Sequence, residues 1–188
     1  MKGKETGKKA LLVIDMLNDF VQPGAPLEVP MTREILPALR RRIAKARREG
    51  ELVVYICDAH RKNDLEFSRM GWPPHAVEGT PGAGVFSAIS PEPGDVVVEK
   101  RTYSGFHATP LHFILRQNGV RELTLAGCVT NICILYIAYE AVVRGYITTV
   151  DERFVAGLAP DTHAFALAQM ESVLGVRVVR RPGKTIRR

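Results

Sequence analysis

Two periodicities alternate along the chain. Short runs that are apolar throughout are followed by longer segments whose apolar residues recur three or four positions apart. Residues 10–14 (ALLVI) are such a run, as a strand buried on both faces requires. Residues 32–49 predict a helix. Ile35, Leu36, Leu39 and Ile43 make its apolar stripe, Thr32 stands where an N-cap is expected, and Gly50 ends it. Residues 52–57 (LVVYIC) predict a second strand. A stretch rich in Pro and Gly then runs from 58 to 94, and loops of that length inside a compact domain are usually functional. Beyond it the pattern predicts strands at 96–99, 122–126, 147–150 and 176–179. Between them it predicts a short helix at 110–117, a helix at 131–144 closed by Gly145, and a last helix at 161–174.

Strands alternating with helices imply a three-layer α/β fold, a doubly wound sheet of about six parallel strands with helices on both faces. There is no internal repeat and no linker. The reading is one domain over residues 1–188 with basic tails at 1–9 and 181–188. Ligands of such sheets bind beyond the carboxyl ends of the strands, where the strand order reverses. Asp15 ends the first strand, Asp58 the second and Lys100 the third, and Cys133 begins the helix after the fourth.

Composition narrows the class. Hydrophobic residues make up 46% and charged residues 24%, which is ordinary for a globular chain and argues against disorder. No apolar run reaches the ~18–20 residues of a membrane span. Asp15 interrupts the first apolar stretch, so no signal peptide is expected. Three cysteines, Cys57, Cys128 and Cys133, are too few for a disulfide scaffold and odd in number, which points to a reducing cytoplasm. The net charge of +6 raises the question of a nucleic-acid partner. Its placement answers against one. Lys2, Lys4, Lys8 and Lys9 lie in the N-terminal tail, and Arg177, Arg180, Arg181, Lys184, Arg187 and Arg188 at the C-terminus. Arg40, Arg41, Arg42, Lys45, Arg47 and Arg48 lie on one helix.

Cys133 follows the turn Gly127-Cys128-Val129-Thr130-Asn131-Ile132. A cysteine in the first turn of a helix feels the positive end of the dipole, which favours its thiolate, and unpaired amides of that turn can meet an oxyanion. An aspartate such as Asp15 can take the thiol proton, and a lysine such as Lys100 can steady both charges. Singly, these residues read as a buried thiol, a turn residue and a solvated strand terminus. Asp58 and His60, two apart on an extended segment, project to the same side, and His75 lies further along the loop. One carboxylate and two imidazoles suit a divalent metal, zinc first, with iron or manganese as alternatives. A solvated polar loop would use the same residue types.

Taken in order, the segments carry a resemblance over about residues 9–180. They are LLVIDMLNDFV (11–21), DAH (58–60), WPPHAVEGTPGA (72–83), KRTYSGFHATPL (100–111) and AGCVTNICILYIAYEAVVRGY (126–146). The chain resembles the isochorismatase-like cysteine hydrolases, and among them the nicotinamidases. The resemblance implies a catalytic triad of Asp15, Lys100 and Cys133, and a non-proline cis peptide between Cys128 and Val129. It implies an oxyanion hole from the Val129 and Cys133 amides. It also implies metal ligands Asp58, His60 and His75, and a substrate pocket walled by Phe20 and Trp72. Asp19 is implied as a support of the site loop. The implied partner is a small-molecule amide, hydrolysed through a thioester, and relatives commonly form homo-oligomers. No nucleic acid and no membrane are implied.

The segment from Asp58 to Phe67 departs from the nicotinamidase pattern. Ala59 stands where many relatives have an aromatic residue, and Asp64 and Glu66 occupy the region of an extra histidine. Glu66 is either a further ligand or a loop cap. Ala59, Arg61 and Lys62 leave open a pocket for a different amide, so an alternative is another hydrolase of the superfamily acting on an amide, ureide or vinyl ether. A catalytically silent basic binding protein is the alternative from another class. His107, His112 and His163 read as surface or packing residues, and Cys57 and Cys128 as strand-end packing.

Overall fold

A computed structural model describes residues 7–181. Of the basic tails expected at 1–9 and 181–188, residues 1–6 and 182–188 lie outside the described residues. Lys8 and Lys9 are not tail: they open strand β1 (Lys8–Ile14) and pair with β4.

Six strands form one parallel sheet in the order β3-β2-β1-β4-β5-β6. The others are β2 (Leu52–Asp58), β3 (Val96–Lys100), β4 (Val120–Cys128), β5 (Ile147–Ala156) and β6 (Arg177–Val179). Alternation along β1 explains the two cores. Ala10, Leu12 and Ile14 face one side, with α4 (Leu111–Gln117), α5 (Leu135–Val143) and α6 (Pro160–Ser172). Leu11 and Val13 face the other, with α2 (Met31–Arg48). Both faces of β1 are therefore apolar, which is why its sequence reads as an unbroken run.

The strands match the expected count, but β4 and β5 run longer than hydropathy alone indicates. A register shift between Leu125 and Gly127 carries their pairing on to Cys128 and Ala156. Thr32 is not the N-cap of α2. It lies inside the helix and its hydroxyl donates to the Val29 carbonyl, 2.7 Å away. Gly50 does end the helix, at φ +70°. The expected loop 58–94 holds a short helix, α3 (Leu65–Met70), capped by the Asp64 side chain, and two 3-10 turns. A one-turn helix, α1 (Asn18–Val21), follows β1. No helix among the described residues is long and apolar enough to cross a membrane.

Candidate active and metal site

The strand order reverses beside β1, which pairs with β2 on one side and β4 on the other. The carboxyl ends of these strands are level, Ile14 being aligned with both Ile56 and Gly127. Gly127 is required there. A Cβ at this position would lie 1.9 Å from the Ile14 carbonyl oxygen, and φ is +112°. The chain thus diverges at one point into Asp15 on one side and the turn carrying Cys133 on the other.

Asp15 is buried at φ +49°, and its amide donates to the Ile56 carbonyl at 2.8 Å. Its Oδ1 accepts from the Asp58 amide at 2.9 Å. Its Oδ2 lies 2.8 Å from Lys100 Nζ, an ion contact that misses hydrogen-bond geometry, so this buried oxygen has no directed donor. Lys100, with a fully buried side chain, also donates to Asp58 Oδ1 and, at 3.5 Å, to Cys133 Sγ. One ammonium therefore touches two carboxylates and the thiol.

Charge sets the protonation of these groups. Burial and the neighbouring Asp58 carboxylate push Asp15 up to about 6, against the pull of Lys100. Burial alone would raise Asp58 as well, but Lys100 and His60 outweigh it and hold that carboxyl below its usual value. Burial opposes the Lys100 ammonium, yet Asp15 and Asp58 keep it well above its ordinary value.

Cys133 differs from expectation. It does not open an α-helix. Thr130–Ile134 form a wide π-type turn ahead of α5, because the Val129 carbonyl accepts from the Ile134 amide at 3.2 Å as well as from Ile132 at 3.0 Å. Nor is its thiolate favoured. Burial pushes the thiol well above its ordinary value and Lys100 only partly opposes this. The peptide between Cys128 and Val129 is cis, as expected.

Asp58, His60 and His75 come together, each buried, with ligand atoms within 4.8 Å of one another. Both imidazoles are held by their Nδ1 atoms, His60 at 3.2 Å from Asp64 Oδ2 and His75 at 2.8 Å from the Pro73 carbonyl. That leaves Nε2 for a ligand, and His60 Nε2 is buried with no hydrogen-bond partner. An orphaned buried nitrogen beside a carboxylate and a second imidazole fits a divalent cation. Burial opposes the His60 charge, but Asp58 and Asp64 outweigh burial and raise its pKa, whereas burial lowers that of His75. A cation there competes with a proton on His60. Glu66 is half-buried beside this group but is not one of the three mutually close ligands.

Rings wall the cluster. Phe20 meets His75 edge-on at 5.4 Å, and Phe67 lies 5.2 Å from His60 and 5.3 Å from His75. Trp72 Nε1 donates to the Tyr103 hydroxyl at 3.0 Å, and Tyr103 stacks on Tyr136 at 5.6 Å. Asp19 supports the loop as expected: its Oδ2 accepts from the Ala76 amide at 2.8 Å, beside His75. Arg61 and Lys62 are exposed, while Ala59 is buried.

Sequence reasoning passed over Asp64 as an orienting acceptor, and also Phe67 and Tyr103. Asp64 just before an apolar residue is an N-cap signal that was available. Tyr103 gave none, because its contact with Trp72 spans 31 residues.

An isochorismatase domain family model matches residues 9–180. A maleamate amidohydrolase of Pseudomonas putida is 35% identical, covering 92% of this chain and 84% of its own. A nicotinamidase/pyrazinamidase of Mycobacterium tuberculosis is 32% identical, covering 87% and 95%. A pyrazinamidase structure of Pyrococcus horikoshii in complex with zinc superposes with a TM-score of 0.86 at 35% identity, covering 93% and 99%. Matching nearly end to end in sequence and in fold, the chain belongs to the isochorismatase family.

Proposed function

We propose that the protein is a metal-dependent cysteine amidohydrolase of the nicotinamidase type, cleaving a small planar carboxamide such as nicotinamide to the acid and ammonia. The observation that carries this reading is the contact of one buried ammonium, Lys100, with Asp15, Asp58 and Cys133, with Asp58 itself facing His60 and His75.

The resting pair is the Asp15 carboxylate and the Cys133 thiol. Sγ attacks the carboxamide carbon as its proton passes to Asp15. Lys100 balances the negative charge that moves from carboxylate to sulfur. The Val129 and Cys133 amides receive the oxyanion. Asp15 then protonates the departing nitrogen, and ammonia leaves behind a thioester on Cys133. Water attacks the thioester, Asp15 taking one of its protons, and the acid is released with the thiol restored.

Asp58, His60 and His75 would hold a divalent ion, zinc by the nature of the ligands. When bound, the ion supplies Lewis acidity and a fixed positive charge beside the pocket. Phe20, Trp72 and Tyr103 would hold the flat face of the ring. Zinc in the Pyrococcus pyrazinamidase structure supports this part of the reading.

A second reading keeps the chemistry and changes the amide. Ala59 is small and buried in the loop between two candidate ligands, which leaves more room than an aromatic residue would. The maleamate amidohydrolase relative supports it.

Ammonia release from nicotinamide, pyrazinamide, maleamate and ureido compounds tests both, with zinc-replete and chelator-treated protein in parallel. The first reading expects turnover of the pyridine and pyrazine amides that falls on chelation. Turnover of the open-chain amides alone would favour the second. No ammonia from any of them would count against an amidohydrolase.

A further inference from the structure

We propose that His163 is a positioning residue for the nucleophile. It acts through Thr130, and so deepens the reading of Cys133 given above. Three polar groups must converge for that chemistry, and they reach the site from different elements. Asp15 follows β1, its amide bonded to the Ile56 carbonyl, and Lys100 ends β3, paired with Asp58. Cys133 sits beyond β4 in the wide turn Thr130–Ile134, whose backbone geometry is not that of a regular α-helix. A turn that departs from regular pairing needs a side-chain hold to keep Sγ in one place.

Thr130 supplies that hold. It opens the turn, three residues before Cys133, and is fully buried. Its Oγ1 lies 2.8 Å from His163 Nδ1, a hydrogen bond between buried groups 33 residues apart. The carbonyl oxygen of the neighbouring Asn131 side chain, by contrast, is buried with no hydrogen-bond partner. His163 in turn is seated firmly. Its amide donates to the Ala159 carbonyl at 3.0 Å at the start of α6. Gly157, just after β5, closes on it, and a Cβ there would come within 2.8 Å of the His163 Cβ. The chain of contact therefore runs from the end of β5, through His163, to Thr130 and the turn that carries the sulfur.

Removing either half of the pair leaves Asp15, Lys100 and every candidate metal ligand untouched. The turn then relaxes and the sulfur strays from the line of attack. Displacements on the order of 1 Å, caused far from the reacting atoms, cost rates roughly a hundredfold. The loss belongs in kcat, since neither residue is among the ring-walling groups that would hold the amide.

The test uses the full-length, zinc-replete protein and the best amide found for it. Thr130→Val and His163→Ala should each lower kcat by about ten- to a hundredfold, with KM changed by less than about threefold. Because the two act as a unit, the double variant should be no slower than the slower single. Thr130→Ser keeps the hydroxyl, and His163→Asn places an amide near the position of Nδ1. Both should recover most of the lost kcat. If His163→Ala does not fold, the Thr130→Val and Thr130→Ser pair carries the test alone. The rate of Cys133 alkylation by iodoacetamide is read in the same variants. It separates this inference from the functional reading, since it needs no substrate, and it should change about tenfold in Thr130→Val. Three results would overturn the inference: folded Thr130→Val with parental kcat, or with parental alkylation if no amide turns over, or singles whose losses multiply in the double variant.

Discussion

The backbone amide of Asp58 donates a 2.9 Å hydrogen bond to Asp15 Oδ1. The residue whose carboxylate faces the two imidazoles thus also fixes the carboxylate at the end of β1. Lys100 then ties the two side chains together. The candidate metal cluster and the candidate triad are one network, and a change in either reaches the other through Asp58.

Lys100→Met tests how the network is balanced. The substitution leaves Asp15 and Asp58 buried side by side without their cation. Breaking a buried ion pair from one side costs about 3–5 kcal/mol, because a charge is left uncompensated. Urea unfolding of metal-free protein at neutral pH should show a loss of that order, and turnover should vanish. The sign with pH is fixed. A carboxyl raised in the folded state, as Asp15 is to about 6, binds its proton more tightly there than in the unfolded chain, so protonation favours folding. Lys100→Met removes the pull that lowers Asp15, so its carboxyl stands higher still in the variant, and the penalty should shrink as pH falls toward about 6. A variant with parental stability at neutral pH would contradict the account.

Asp64→Ala addresses the outer layer of the metal cluster. Asp64 accepts from His60 Nδ1 and also caps α3 through the Glu66 amide. Loss of such an orienting acceptor usually weakens metal affinity by about 10–100-fold, and loss of the cap costs about 1 kcal/mol. Zinc competition titration should show the first and thermal melting the second. Asp64→Asn keeps an acceptor and a cap, and should fall between parent and alanine. Unchanged zinc affinity in the alanine variant would remove Asp64 from the site.

The thiols give a third check. All three cysteines are buried, and burial raises the pKa of each. Cys133 alone has an ammonium within hydrogen-bonding reach, at 3.5 Å. Iodoacetamide should label Cys133 first, yet more slowly than an unhindered thiol at neutral pH, and faster as pH rises. Peptide mapping across a time course reads the order. Earlier labelling of Cys57 or Cys128 would contradict the electrostatic assignment.

The doubly wound sheet was legible because β1 and β2 are buried on both faces, which leaves unbroken apolar runs such as ALLVI and LVVYIC. The strand ends were legible for the same reason: a charged residue that stops such a run marks where the chain leaves the core, as Asp15 and Asp58 do. The state of Cys133 was not legible. Spacing places it after a strand, but the π-type turn depends on which amides reach the Val129 carbonyl, and the raised thiol depends on burial that only packing creates. Thr32 misled for a similar reason. A hydroxyl near a helix start can cap it or bond back to a carbonyl, and here the chain entering from Pro30 places it inside the first turn. The link between His163 and Thr130 joins residues on separate helical segments, and no local pattern announces it.

Cys133→Ala tests the central claim most directly. The substitution removes one buried sulfur and none of the Asp15–Lys100–Asp58 contacts, so the protein should keep its fold and its capacity to bind zinc. The measurement is ammonia release from the parent's best amide, parent and variant side by side, with circular dichroism and zinc content as controls. The account predicts that release falls to background in a folded, zinc-bearing variant. Steady release from that variant at a rate near the parent's would contradict nucleophilic attack by Cys133.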